Sequence, residues 1–205
     1  RKRSELINSL RDRWNLADKK KTDIHLALIH YPVCNKIGET VTSSVTTLDV
    51  HDISRAAKTY AVDSFYVVTP LKTQRELVER LIEHWMTGYG AEYNPTRKEA
   101  LLTTRVGNNL KETIKDIAKR YGQTPTTVAT GAKQFPQSID FSQLRGELER
   151  GGSFLLMFGT GWGLDNSILQ GADYVLDPID GIGGYNHLPV RSAIAIILDR
   201  LLSDR

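Results

Sequence analysis

A glycine-rich turn that follows a short apolar run brings bare backbone N–H and C=O groups to the end of a strand, where they can hold a polar small molecule. Two such turns occur in this chain. Phe154-Leu-Leu-Met-Phe breaks into Gly159-Thr-Gly-Trp-Gly-Leu164, and Asp173-Tyr-Val-Leu-Asp breaks into Pro178-Ile-Asp-Gly-Ile-Gly-Gly-Tyr-Asn-His-Leu-Pro-Val-Arg191, which opens directly onto a helix. One Gly-x-Gly step marks only a turn; two in series, each closing an apolar strand, mark a ligand site. A dinucleotide-binding turn fits poorly, because Gly159-x-Gly161-x-x-Leu164 lacks the third glycine that lets a helix pack closely on its strand. No Gly-Lys-Ser/Thr phosphate loop is present either.

Other residues carry weaker signals. Asp173, Asp177 and Asp180 lie across a strand end and a turn without the alternating oxygen-ligand spacing of a calcium loop, so no metal is expected. His51 and Asp52 stand within a turn of Arg55; they fit a helix's first turn, where the dipole favours an acid, better than a general-base pair. His187 reads as a structural histidine, and Cys34, the only cysteine, as an inert small residue at a strand end. A single thiol allows no intrachain disulfide, which suits the cytoplasm.

The elements that must position these turns alternate. Apolar runs predict strands at 24–31, 64–69, 101–106, 125–130, 154–158 and 173–176. Between and after them, helical spacing predicts helices at 49–60, 72–87, 108–121, 140–150, 164–170 and 188–202. This is the α/β pattern of a mostly parallel sheet flanked by helices. The last helix is apolar over most of its circumference, with Val190, Ala193, Ile194, Ile196, Ile197, Leu198, Leu201 and Leu202, and must be buried nearly all round. Part of that surface is left for a two-fold interface between copies.

The order of these pieces resembles the C-terminal half of the SPOUT class of S-adenosylmethionine-dependent RNA methyltransferases, the α/β-knot enzymes. The matching segments are Gly159 to Leu164, Leu176 to Ile179, and Tyr185 to Val190. Asn186-His-Leu-Pro-Val-Arg-Ser-Ala-Ile-Ala-Ile-Ile-Leu-Asp-Arg200 is similar to one predicted RNA methyltransferase branch in particular. The resemblance implies a C-terminal deep trefoil knot, with the segment Tyr185 to Leu202 threaded through the loop around residues 154–164. It also implies a cofactor, S-adenosylmethionine, held by backbone groups and apolar walls. On that reading the cofactor residues are Thr130 and Gly131 after the strand at 125–130, Gly159, Thr160, Gly161, Trp162 and Gly163 in the glycine loop, and Leu176, Ile179, Gly184, Tyr185, Asn186 and Leu188 in the last turn. Tyr185 and Asn186 serve equally as turn residues into a capped helix, and Trp162 as ordinary packing.

Leu48-Asp-Val-His-Asp-Ile-Ser-Arg-Ala-Ala57 resembles the first SPOUT motif, in which Asn and Arg six residues apart open the first helix. Asp49 takes the Asn place and Arg55 matches. The resemblance makes Arg55 the catalytic-site contact to the RNA phosphate or reacting nucleoside, often across a dimer interface; the plainer reading has Asp49 cap the helix and Arg55 lie on the surface. The glycine loop departs from the Gly-x-Glu-Gly-x-Gly-Leu of ribose-methylating members, being one residue shorter and without Glu. Ribose 2′-hydroxyl and base nitrogen therefore both stay open as the methylated atom.

The chain has 205 residues and a net charge of +3, and that charge is unevenly placed. Residues 1–22 hold eight Lys/Arg and three Asp/Glu, a balance of +5, leaving −2 for the rest. Leu6, Leu10 and Trp14 recur at helical spacing, so this arm divides into an amphipathic helix at 4–16 and a Lys19-Lys-Lys linker, ahead of an α/β-knot domain at 23–205. Arg3, Leu6, Leu10, Arg13 and Leu16 faintly resemble the end of bacterial tRNA guanine-N1 methyltransferases, which implies a fused or partnered enzyme of that kind. No apolar run approaches the roughly 20 residues that span a bilayer. The function expected is methyl transfer from S-adenosylmethionine to RNA, with tRNA the leading substrate, by a cytoplasmic homodimer. The alternatives are a non-catalytic cofactor- and RNA-binding module tethered to a fused methyltransferase, or an enzyme for another nucleotide-like ligand.

Overall fold

The computed structural model describes residues 22–183 and 185–203. The predicted arm helix, all but the last residue of the 1–22 segment, and Gly184 lie outside them. Strands are β1 (Thr22–Ile29), β2 (Val33–Cys34), β3 (Thr40–Val41), β4 (Ser64–Val68), β5 (Thr104–Gly107), β6 (Thr126–Ala129), β7 (Ser138–Ile139), β8 (Gly152–Gly159) and β9 (Tyr174–Leu176). Helices, numbered here from the first described one, are α1 (Thr47–Thr59), α2 (Lys72–Met86), α3 (Tyr89–Tyr93), α4 (Pro95–Leu101), α5 (Leu110–Tyr121), α6 (Phe141–Glu149), α7 (Asn166–Gly171) and α8 (Val190–Leu202).

Seven strands form one sheet in the order β5-β4-β1-β8-β6-β9-β7, and each pairing in it is parallel. Strands buried on both faces need apolar residues at both parities, and the three central strands have them. Leu26 and Leu28 of β1, Phe65 and Val67 of β4, and Phe154, Leu156 and Phe158 of β8 enter one core. Their alternates Ala27, Ile29, Tyr66, Val68, Leu155 and Met157 enter the other.

The first core is closed by α1, α2, α6 and α8, through residues such as Ile53, Val78, Leu144 and Leu198. α5 and α7, with Val33 of β2, close the second. Ile194, Ile197, Leu198 and Leu201 of α8 are all buried in the chain's own core. Ile196 of the same helix is only part-buried and enters neither core.

The predicted strand at 101–106 is corrected in register. Residues Pro95–Leu101 are helical, with Asn94 accepting from the Arg97 N–H and Pro95 at the first position, and β5 starts only at Thr104. Besides the short helices α3 and α4, two features had no counterpart in the sequence reading. One is the β2–β3 hairpin, whose turn is built by Asn35 Oδ1 accepting from the N–H groups of Ile37 and Glu39. The other is the edge strand β7.

Sheet order reverses beside β1. The chain leaves β1 toward β4 and β5, whereas β8 leads toward β9 on the opposite side. Ligands of open parallel sheets bind beyond the carboxyl ends of strands at such a reversal. Ile29 of β1 and Gly159 of β8 are register partners at that place.

Candidate functional site

Three loops meet beyond the carboxyl ends of β6, β8 and β9. After β6, Thr130 is buried, and both its N–H and its hydroxyl donate to the Met157 carbonyl of β8, at 3.1 and 2.9 Å. Gly131 follows, where a Cβ would meet only the Lys133 nitrogen, at 4.0 Å. Asn186 Nδ2 donates to the Ala132 carbonyl at 3.1 Å, which ties the loop before α8 to the loop after β6.

The glycine loop is folded against the segment that follows β1. Thr160 N–H donates to the Ile29 carbonyl at 3.3 Å, Trp162 N–H to Cys34 at 3.1 Å, and Gly163 N–H to Thr160 at 3.1 Å. Cys34 N–H returns a bond to the Gly163 carbonyl at 2.9 Å. This corrects the expectation of bare amides: these three N–H groups are taken by the chain's own carbonyls. An ideal Cβ on Gly159 would lie 2.4 Å from the Leu164 nitrogen, so this glycine is required by the turn itself. Gly161 and Gly163 adopt φ of +61° and +103°, the left-handed region that glycine enters without strain. Next to Gly163, as next to Gly183, the space beyond Cα is open.

The rim is aromatic. Trp162 is 59% exposed and Tyr185 77%. His187 joins them, its ring 6.1 Å edge-on from Trp162 and 5.5 Å from Tyr185. It is exposed, with those two rings as its contacts. Leu188 is exposed beside it. Leu176, by contrast, is wholly buried in the core and offers only backbone to the rim, while Ile179 packs partly against that core. Gly184 falls outside the described residues.

Under this rim runs a hydrogen-bonded chain that the sequence reading missed. His30, fully buried after β1, meets Ser43 Oγ through Nδ1 at 3.1 Å. Ser43 Oγ bonds Thr160 Oγ1 in turn, and Thr160 donates to the Ile29 carbonyl. Burial lowers the His30 pKa to about 4, against the raising effect of Asp49, so the imidazole is neutral near pH 7.

Asp49 does not cap α1; Thr46 does, accepting from the Asp49 N–H. The Asp49 carboxylate is buried, accepts from the Thr46 hydroxyl at 2.6 Å and receives Arg191 at 3.2 Å. Arg191 also reaches Asp52 at 3.4 Å. One guanidinium from the first turn of α8 thus clamps the first two turns of α1, where Asp52 lies beyond the first turn expected for it, and an Asp at position 49 gives it a charged partner that an Asn would lack. His51 turns elsewhere, edge-on to Trp85 at 5.6 Å, and its pKa is lowered by burial and by Arg97, with Asp52 opposing. His51 and Asp52 are therefore not a base pair.

Arg55 is exposed on α1 and lines a cavity of about 340 Å³ with Lys58, Asn94, Thr96, Arg97 and Glu99 among others. That cavity shares no lining residue with the glycine loop or the turn before α8. The structure brings together the candidates from β6, β8 and the last turn; it leaves Arg55 at a separate cavity. Asp173 accepts from Thr127 N–H and hydroxyl, both at 2.7 Å, an interstrand clamp.

A family model described as SAM-dependent RNA methyltransferase matches residues 23–203. The chain belongs to that family. Its activity is methyl transfer to RNA, and its cofactor is S-adenosylmethionine. An uncharacterized protein of Aquifex aeolicus is 42% identical over 182 residues, covering 88% of this chain and 89% of that one. A tRNA (guanine-N(1)-)-methyltransferase of Nitratidesulfovibrio vulgaris is 45% identical over 182 residues, covering 89% of this chain but 42% of that protein. This RNA methyltransferase therefore spans less than half the length of that relative. Among solved structures, the SpoU methyltransferase AviRb of Streptomyces viridochromogenes superposes with a TM-score of 0.58 at 15% identity, over 90% of this chain and 60% of that one. The mostly parallel sheet flanked by helices is thus a SpoU-like fold.

The residues present suit the cofactor. Trp162 and Tyr185 expose flat ring faces, and the space beside Gly163 and Gly183 is open, a lining that an adenine ring and a close backbone approach would fit. Among the described residues no helix is long and apolar enough to cross a membrane.

Proposed function

We propose that this chain methylates tRNA as a cytoplasmic homodimer, with S-adenosylmethionine held by the three loops beyond β6, β8 and β9. The observation that carries this reading is their convergence where the sheet order reverses, tied by Asn186 to Ala132 and by the Trp162–His187–Tyr185 edge contacts. Thr130 to Gly131, Gly159 to Gly163 and Ile179 to Leu188 would hold the cofactor, with Leu176 contributing backbone alone. When bound, the cofactor supplies an already activated methyl group, so the protein's task is alignment of the acceptor and removal of its proton. In this reading the C-terminal segment is threaded as a deep knot, which fixes the last turn against the glycine loop.

Arg55 stands at its own cavity and would serve the partner copy's cofactor, gripping an RNA phosphate or the reacting nucleoside. The +5 balance of residues 1–22 adds sequence-independent attraction to RNA phosphates. A fused or associated tRNA guanine-N1 methyltransferase fits the length of the Nitratidesulfovibrio relative. Calorimetry and transfer assays on wild type and Arg55→Ala test the assignment. Affinity for S-adenosylmethionine should be unchanged while transfer falls at least a hundred-fold, about 2.7 kcal/mol. Transfer at the wild-type rate would return Arg55 to a surface charge, and cofactor binding without transfer in the wild type would make the chain a binding module.

A further inference from the structure

Tyr89 and Tyr93 lie one turn apart on α3, each 74% exposed, with ring centroids 6.0 Å apart and planes inclined by 26°. Neither enters a core of the fold. Asn94, the next residue, ends α3, caps α4 and lines the Arg55 cavity, so the stacked rings and the cavity are contiguous. Three cations, Arg55, Lys58 and Arg97, line that cavity against one carboxylate, Glu99. Glu99 pairs with Lys58 at 2.9 Å, and the Arg97 guanidinium carbon sits over Trp85, 4.5 Å from the ring centroid.

Exposed parallel aromatic faces beside fixed cations suit an unpaired stretch of RNA, whose bases can stack while its phosphates meet the cations. A duplex keeps its base faces inside its own stack and cannot use the rings. We infer that Tyr89, Tyr93 and the Arg55–Lys58–Arg97 cavity form a docking surface for a single-stranded segment of the RNA substrate, with a base on the tyrosines and a phosphate in the cavity. This rests on the reading of Arg55 as an RNA contact and extends it to the residues around it.

Fluorescence polarisation with a labelled oligouridylate of about twelve nucleotides, and with an RNA duplex of the same length, tests it on the full chain. Replacing both tyrosines (Tyr89→Ala with Tyr93→Ala) should raise Kd for the single strand at least ten-fold and leave duplex binding within about two-fold. Tyr89→Phe with Tyr93→Phe should retain wild-type affinity, because the ring face and not the hydroxyl is used. Lys58→Gln should lower the salt slope by about one for single-stranded RNA. Calorimetry should give unchanged S-adenosylmethionine affinity in every variant, which also shows that they fold. Unchanged single-strand affinity in the double alanine variant, in a protein that still methylates RNA, overturns this inference and leaves the proposed function intact. A fall in oligomeric mass with the alanine variant would assign the rings to a second copy instead, and overturn it equally.

Discussion

A side chain at Gly159 has nowhere to go, because its Cβ would fall 2.4 Å from the Leu164 nitrogen and 2.7 Å from the Gly163 carbonyl carbon. Both are backbone atoms and cannot swing aside. Gly159→Ala should therefore open the turn, lower stability by about 1–3 kcal/mol and weaken S-adenosylmethionine binding ten-fold or more by calorimetry. Gly163→Ala meets no atom within 4 Å and is opposed only by its φ of +103°, so it should be the milder of the two in thermal melts. That Gly159 and Gly161 matter was legible in the sequence; that their amide neighbours are bonded to Ile29, Cys34 and Thr160 was not. Those partners stand over a hundred residues away in the case of Ile29 and Cys34, and no local pattern announces them.

Two buried histidines belong to the first strand and its exit: His25 lies in β1 and His30 follows its last residue. His25 bonds Ser64 Oγ at 2.7 Å, and burial lowers its pKa to about 4, as it does for His30. Both folded values lie below the unfolded value of about 6.5. The unfolded chain therefore binds more protons as pH falls, and their stabilising contribution is full above pH 6.5 and is lost progressively as pH falls toward 4. Unfolding free energies from urea titrations should drop between pH 7 and pH 5 by on the order of 1 kcal/mol per pH unit and per histidine, and His25→Gln should flatten the slope; a free energy independent of pH would contradict it.

The clamp between α1 and α8 is a second property of elements. Asp49→Asn and Arg191→Gln should each cost about 1 kcal/mol, with the double variant costing less than their sum, since both remove the same pair. The bounds of both helices were readable to within two residues at either end. Their joining through Arg191 was not, because an ion pair across 142 residues leaves no trace in periodicity. The short α3 and α4 were missed for the opposite reason: Asn94-Pro95 announces a helix start, but each run is too short to show a period.

The molecule keeps its two candidate surfaces apart: the aromatic rim beyond β6, β8 and β9 shares no lining residue with the Arg55 cavity. If Arg55 serves the partner's cofactor, activity belongs to the dimer. Light scattering should give twice the 23.0 kDa chain mass at micromolar concentration. Arg55→Ala mixed with Gly159→Ala, each nearly inactive alone, should recover up to a quarter of wild-type transfer after subunit exchange. No recovery in verified mixed dimers would place Arg55 in the same copy's site or outside catalysis. The parallel order of the sheet was legible from alternating apolar runs; the strand order, which decides where the loops converge, was not, because pairing partners are set by packing and not by local pattern.

The most direct measurement is transfer from radiolabelled S-adenosylmethionine to bulk unmodified tRNA, followed by digestion to nucleosides. A site of this kind predicts label in one nucleoside species, abolished by Arg55→Ala and strongly reduced by Gly159→Ala. Tight cofactor binding with no labelled nucleoside from tRNA, while another RNA accepts the methyl group, would contradict the tRNA assignment; no label in any RNA would contradict the account as a whole.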